Sequence, residues 1–449
     1  MAKNIFLSPV IMKVNFQLNT ISAFQFNQLV RYATLMLTGI VFAKSSLTQT
    51  EIGSYETFTF IAGAVSFFWL NGLQKAMLPL AGYAKNSLSQ IFSAFVVLQL
   101  FSFFAAGLLF LLQPLFSTWL LNGNRLPEIG LLMAFIVFSV PANQVEYWYL
   151  IEKKNKASLV YSTVSFAVQF VLVALPAILG WGIQPVLTGL VVSVILRYLW
   201  LWIIFTTNGK LQFSQSFVKE YLKLGGPLVL ATLLSGSAQF VDGFIVTSHF
   251  DEQTFAVFRY GARELPLALL LANALSNAML PAFADKNQLS ANLLQLKTSV
   301  SRLMHFLFPV SALLIVISYP VFPLIFNPDF AKSATVFNIY LLLVISRLLL
   351  PQTILNGLKI TRPIMTAALF ELVVNVSASL LLVKYFGIAG VAFGTFIAYL
   401  FEKIYLAVSV RKKLNIRISE YTPIKPFLFY SLAIGVIFVL TEIFLRPLF

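Results

Sequence analysis

The chain has 449 residues, of which 59% are apolar and 10% charged, with 45 Phe and a formal net charge of +15. A soluble domain is about 45–50% apolar and about 25% charged, so this composition excludes a water-soluble globule and makes lipid the main solvent. No cysteine and two histidines exclude a disulfide framework, a thiol nucleophile and a cysteine-bound metal.

The N-terminal run from Ile5 to Met12 is too short for a signal peptide and reads as a cytosolic or interfacial lead-in. A span needs roughly 20 apolar residues. Windows of that length predict spans near 24–44, 56–80, 88–112, 128–150, 158–180 and 183–206. A polar link over 207–221 follows, with Lys210, Lys219 and Glu220. Six more spans are predicted near 222–248, 255–281, 300–326, 332–355, 362–385 and 388–410, and a last apolar stretch runs from about 427 to 445. The predicted organisation is an N-terminal lobe (1–206), a cytosolic linker (207–221), a C-terminal lobe (222–410) and a basic loop with an extra span (411–449).

With the N-terminus inside, 19 Lys and Arg residues fall in inner segments and 5 in outer ones. The positive-inside rule therefore fixes the orientation. It also accounts for the +15 charge without nucleic acid, because the basic residues sit in short loops between spans.

A repeat supports the two-lobe reading. Asn71-Gly-Leu-Gln-Lys-Ala-Met-Leu-Pro79 returns as Asn273-Ala-Leu-Ser-Asn-Ala-Met-Leu-Pro281, six of nine positions identical at an offset of 202. Six spans separate the copies, and an even number restores direction. The expected fold is an all-α integral membrane protein of two parallel six-helix lobes, related by a pseudo-two-fold along the membrane normal, plus an extra C-terminal helix.

Seven basic residues fall within predicted spans: Arg31, Lys75, Arg197, Arg259, Arg263, Arg347 and Lys403. Each costs about 2.5–3.5 kcal/mol at a helix centre on insertion scales. Lys75 and Lys403 lie near inner ends and read as snorkelling. Arg197, beside Tyr198, Trp200 and Trp202, reads as part of an aromatic belt.

Asn27, Arg31, Thr34 and Thr38 share one face of the first span, and Thr232, Ser235, Gln239 and Asp242 share one face of the seventh. The two stripes read as walls of a wet cavity, with interhelical hydrogen bonding as the competing explanation. Arg259 and Arg263 share a face of the eighth span, followed by Glu264, and Asp242 is expected beside them. One reading is an ion cluster pinning two helices. The other is a site for an anion, with Asp242 and Glu264 orienting the guanidiniums, whose forks suit phosphate. Arg347 adds a basic position in the tenth span. Glu371, one turn before Asn375, either pairs with Arg347 or binds a coupling proton or Na⁺. Glu146 and Glu402 lie nearer span ends and carry less weight.

Other chemistry is missing from the sequence. There is no Walker loop and no His or Cys pair at metal-ligand spacing. His249 and His305 fall at opposite faces and read as interfacial polar residues rather than bases.

Several segments resemble one family. Gln49-Thr-Glu-Ile-Gly-Ser-Tyr55 is similar to the turn after the first span of polysaccharide flippases, and Val241-Asp-Gly-Phe-Ile245 to their seventh-span element. Phe258-Arg-Tyr-Gly-Ala-Arg-Glu-Leu-Pro266 resembles their eighth-span segment, and Ala278-Met-Leu-Pro281 its ending. The span plan resembles that of the Wzx-type oligosaccharide flippases of the multidrug/oligosaccharidyl-lipid/polysaccharide (MOP) superfamily over nearly the whole chain. Thirteen predicted spans depart from the family's usual twelve or fourteen.

The resemblance implies a non-enzymatic transporter in the bacterial inner membrane, with its N-terminus cytosolic and a central cavity between V-shaped lobes. It implies an undecaprenyl-diphosphate-linked oligosaccharide as substrate, delivered to a polymerase or ligase of O-antigen or capsule synthesis. The expected diphosphate contacts are Asn27, Arg31, Gln239, Asp242, Arg259, Arg263 and Arg347. Glu371, Asp242 and Glu264 are the candidates for ion coupling by H⁺ or Na⁺, with no other cofactor. Rival readings are a cation-coupled multidrug exporter, a lipid II flippase and, from another class, a membrane glycan polymerase or acyltransferase.

Overall fold

The computed structural model describes residues 20–81, 87–123, 126–209, 211–263, 267–284 and 288–448. Among these residues every regular element is helical. Lipid offers the backbone no hydrogen-bond partners, and a helix satisfies them within its own segment.

The first half contains α1 (Thr20–Lys44), α2 (Gln49–Ala81), α3 (Ser87–Leu111) and a short surface helix α4 (Gln113–Leu120). It continues with α5 (Ile129–Ala142), α6 (Gln144–Ile151), α7 (Asn155–Ile178) and α8 (Ile183–Thr207). The second half begins with α9 (Gln215–Gly236), whose Ser214 caps its N-terminus by accepting from the Phe217 N–H. It goes on through α10 (Ala238–His249), α11 (Glu252–Gly261), α12 (Leu267–Ala284) and α13 (Leu289–Ile325). The tenth predicted span is three pieces, α14 (Ser333–Leu341), α15 (Val344–Arg347) and α16 (Pro351–Gly357). Then come α17 (Arg362–Phe386), α18 (Ile388–Leu414), the single turn α19 (Ile418–Tyr421) and α20 (Ile424–Leu440).

Eight helical stretches among the described residues are long and apolar enough to cross a bilayer, or nine if the pair Ser333–Arg347 and Pro351–Gly357 is one span. The other predicted spans coincide with α1, α2, α9–α10 and α11–α12, the segments that carry the polar stripes and charges. The protein is a multi-pass, all-α membrane protein. The two copies of the repeated nonapeptide close α2 and α12.

Several segments are interrupted, each for a local reason. Pro141 lacks an amide donor, and α5 ends just after it, at Asn143. α9 and α10 part at Ser237. The tenth segment bends by 48° before Pro351. α17 and α18 form a hairpin through Gly387, whose φ of +58° lies in the left-handed region that glycine adopts without strain.

The basic loops after α6, α16 and α18 mark one end of the bundle, the basic face. The loops after α1, α10 and α13 meet at the opposite, far face. The halves join along α2, which packs against α9 and α11. α20 packs on α13, where Tyr430 stacks on Phe308 at 5.3 Å and pairs with His305 at 2.7 Å. The other face of α20 is exposed, with Phe429 at 68% and Leu432 at 71%, as a lipid-facing surface should be.

Candidate functional site

Two clusters share one design, a buried carboxylate between two guanidiniums over an aromatic ring. The first lies in the first half. Glu146, four residues past the end of α5, is buried. It accepts from Arg31 of α1 and, at 3.3 Å, from Arg197 of α8. Arg31 also donates to Asn143 at 3.3 Å, and Arg197 to the Tyr161 hydroxyl at 3.1 Å. The Phe166 ring lies 5.5 Å from Arg31 and 5.0 Å from Arg197, within cation–π range. The break at Asn143 brings Asn143 and Glu146 to the same guanidinium.

The second cluster crosses between the halves. Glu56 of α2, also buried, accepts from Arg259 at 3.3 Å and from Arg263. The Arg263 guanidinium stands 4.4 Å from the Tyr260 ring, and Arg259 6.0 Å from Phe60. Tyr260 donates to the Gly39 carbonyl of α1 at 3.0 Å. A Cβ at Gly39 would overlap Arg263 Nη1, so only glycine admits the guanidinium here. That Nη1 is buried and has no hydrogen-bond partner among the described residues.

Each cluster sets two positive charges against one negative. A buried carboxylate needs such pairing, and each set retains one surplus positive charge. Arg31 and Arg259 are partly exposed, at 34% and 36% of their side chains, while Arg263 is at 17%. Guanidinium forks match phosphate oxygens.

A band of polar contacts closes the far face between the halves. Ser54 donates to Glu252, and Gln253 to Gln49. Gln49 donates to the Asp329 carbonyl, Lys44 to that of Leu324 and Asn327 to that of Ala43, each at 2.8 Å. Toward the basic face, Lys75 donates to Thr232 at 3.3 Å.

A third polar group lies inside the second half. Asp242 Oδ2 accepts from the hydroxyls of Tyr340 and Thr395. Asn375 donates to Thr395 at 3.3 Å, and Ser379 to Asn375 at 3.1 Å. Asp242 Oδ1 is buried and without a partner among the described residues. One turn below Asn375, Glu371 has Glu402 and Lys403 as charged neighbours, with Lys403 paired to Glu402 at 2.7 Å. Glu371, Asn375 and Ser379 follow i, i+4, i+8 on the buried face of α17.

The structure revises several sequence-based expectations. The Asn27 stripe faces α7: Asn27 donates to Ser162 at 2.7 Å, and Thr34 and Thr38 are buried. Hydrogen bonding between helices, favoured in lipid, governs Asn27, and Arg31 alone keeps partial exposure. The Thr232–Asp242 stripe is interrupted at Ser237, and the side chains of Ser235 and Gln239 lie outside the described residues, as does Glu264. Asp242 does not orient Arg259 and Arg263; it turns to α14 and α18, and Glu56 takes that role. Arg197 is buried against Glu146 and Tyr161 rather than set in an aromatic belt, and Lys403 pairs with its neighbour Glu402. Arg347 ends α15 at the bend of the tenth segment and is half-buried. Glu56 is the residue sequence reasoning passed over, and Glu146 is the one to which it gave too little weight. The signal available was a carboxylate inside each of two predicted spans, Glu56 and Glu146, in a chain whose spans also hold several arginines.

Interrupted helices, a polar seam between two halves and paired arginine clusters belong to a multi-pass helical membrane protein whose fold is shared with solved transporters of the MOP superfamily. "Lipid II flippase MurJ, inward closed conformation" aligns with a TM-score of 0.67 at 18% identity, covering 94% of this chain and 92% of that one. An inward-facing multidrug resistance MATE family transporter of the MOP superfamily aligns at 0.60 and 13% identity, covering 93% and 99%. A MOP superfamily transporter from Pyrococcus furiosus, described as having a binding pocket of reverse polarity, aligns at 0.53 and 14% identity, covering 94% and 95%. At these identities the likeness establishes the fold. No curated protein matches the chain. Residues 46–335 match the model of the family described as "Polysaccharide biosynthesis protein", and the chain belongs to that family.

Proposed function

We propose that the protein is a flippase that carries an undecaprenyl-diphosphate-linked oligosaccharide from the inner to the outer leaflet of a bacterial inner membrane, with the basic face cytosolic. The observation that carries this reading is the pair of surplus-positive clusters, one reached from α1 and one bridging the halves. The family assignment and a flippase among the structural neighbours support it.

The physical problem is the headgroup. A sugar diphosphate cannot cross hydrocarbon, whereas a prenyl tail already resides there. Two bundles that rock against each other give the head a polar route while the tail stays in lipid. In the conformation described, the far-face band is closed and Glu56 holds Arg259 and Arg263. Arg31, partly exposed, meets the diphosphate first. The diphosphate then competes with the Glu56 carboxylate for Arg259 and Arg263, offering more oxygens and more charge to the same forks. Release of Glu56 uncouples α2 from α11, so arrival of the anion loosens the seam. An inside-negative potential adds about 2.3 kcal/mol per charge per 100 mV in the export direction.

Ion coupling belongs to the Asp242 and Glu371 groups. Asp242 presents its carboxylate among hydroxyl and amide groups, the ligand set of a proton or Na⁺ site, and its helix α10 packs on α17 and α18, which carry Glu371 and its charged neighbours. The flipped lipid would pass to a polymerase or ligase on the outer face.

The test uses a strain lacking the endogenous gene, complemented with Arg31→Ala, Arg263→Ala or both at equal membrane levels. The expected result is lipid-linked oligosaccharide stranded on the cytosolic leaflet, most in the double variant. Wild-type export from the double variant overturns the proposal.

A further inference from the structure

We infer that an apolar cavity on the bilayer side of α2 receives the prenyl chain of the transported lipid, an inference that rests on the flippase reading above. The cavity measures about 460 Å³ and lies between α2 and α3 of the first half and α9 and α10 of the second. Every lining side chain is apolar. Ile61, Phe68 and Trp69 of α2 form one wall, Ala105 and Leu108 of α3 another, and Val229 and Phe244 close the seam side. Phe116 and Leu120 of α4 cap the end toward the far face.

Three observations favour a prenyl chain. First, the cavity opens to lipid on the α3 side, where Phe104 is 70% exposed and Leu108 43%. Second, size fits a segment of such a chain. A dry apolar cavity of about 150 Å³ accepts a benzene-sized guest, so 460 Å³ has the volume of about three isoprene-sized units. Third, position fits. Glu56 lies on the helix that forms one wall of the cavity, and Ile61 follows it by five residues, a rise of about 7.5 Å. Glu56 faces the arginines of the second half, and the cavity on the other side of α2 opens to the bilayer at Phe104 and Leu108. α2 therefore divides a polar side from an apolar side at the seam between halves. That is the partition an amphiphile with a charged head and hydrocarbon tail must straddle. A cavity walled by both halves also changes shape when they part, so chain occupancy and seam opening are linked.

The test reconstitutes the full-length protein in vesicles with two substrates: a long-chain polyprenyl-diphosphate oligosaccharide and its short geranyl analogue. Ala105→Trp fills the cavity, and Gly107→Trp, whose Cβ meets open space, is the control on the same helix. Ala105→Trp should slow the long-chain substrate about tenfold, equivalent to about 1.4 kcal/mol, and leave the short analogue and the Gly107→Trp control unchanged. Equal long-chain rates for Ala105→Trp and wild type overturn the inference while leaving the flippase reading intact. Failure of wild type to move either substrate overturns both. A benzophenone amino acid at Leu108 gives a reading independent of the folding of Ala105→Trp. Photolabelling by the polyprenyl lipid is expected, and labelling by phospholipid alone overturns the inference.

Discussion

Glu56 and Arg263 stand 207 residues apart in sequence and meet in an ion pair that joins the two halves of the protein. Arg259 shares the same carboxylate. Glu56→Gln leaves two guanidiniums facing each other without their counter-ion. Removing one partner of a buried pair costs about 3–5 kcal/mol, and the partial exposure of Arg259 places this case at the lower end. Thermal unfolding in detergent should shift down accordingly. The chain has no cysteine, so Ser54→Cys with Glu252→Cys reports the far-face seam cleanly. Cross-linking should slow when Glu56→Gln is added, and an unchanged rate removes Glu56 from control of the seam.

Gly39 sets how closely α1 approaches Arg263. In Gly39→Ala the new methyl takes the space of Arg263 Nη1. The guanidinium must shift from Glu56 and Tyr260. Transport is expected to fall to near the level of Arg263→Ala with helix content unchanged by circular dichroism. Full activity in Gly39→Ala shows that the position of Arg263 is not critical.

Arg31 and Arg197 share Glu146 but differ in exposure, 34% against 9% of the side chain. Arg197, held also by Tyr161, is the anchor. Arg197→Ala should lower stability and expression, since it strips Tyr161 and Glu146 of a partner in a buried setting. Arg31→Ala should leave stability near wild type and reduce transport. The two effects separate by comparing unfolding temperature with transport at equal protein. Equal destabilisation by both substitutions assigns Arg31 to scaffolding.

Asp242→Asn keeps an oxygen for Tyr340 and Thr395 but removes the charge. If Asp242 is the coupling group, transport in vesicles loses its response to an imposed Na⁺ or proton gradient while lipid binding persists. A response of wild-type size assigns coupling elsewhere, with Glu371→Gln as the next variant.

At the far face, Asp251 caps α11 by accepting from the Thr254 N–H at 2.8 Å. Bonds from the Thr254 side chain and N–H hold its carboxyl below the ordinary value. A carboxyl whose pKa is depressed in the folded state stabilises the fold above its unfolded pKa and loses that effect as pH falls through the folded value. Asp251→Ala should therefore cost about 1 kcal/mol at neutral pH. The gap between variant and wild type should close progressively below about pH 3.9. A gap that persists in acid assigns the effect to something other than the cap.

Composition alone settled the solvent, because no folded arrangement of so apolar a chain hides its surface from water. The apolar periodicity settled the helices, and each predicted span coincides with a helix or an interrupted helix, since segment length and apolarity are local quantities in a bilayer. The nonapeptide repeat placed matching helix ends in the two halves. Tertiary structure decided the charge pairing. Arg197 read as an aromatic-belt residue because Tyr161 and Glu146 are distant in sequence, and only the packing of α6, α7 and α8 brings them together. Glu56 went unnoticed for the same reason. A carboxylate near the start of α2, with Glu51 about one turn before it, has no partner in its own sequence neighbourhood, and its meaning arises when α11 packs across the seam. The Asn27 stripe was visible as a pattern, but helical spacing does not say what a face meets. That depends on which neighbour packs there, and for Asn27 the neighbour is α7.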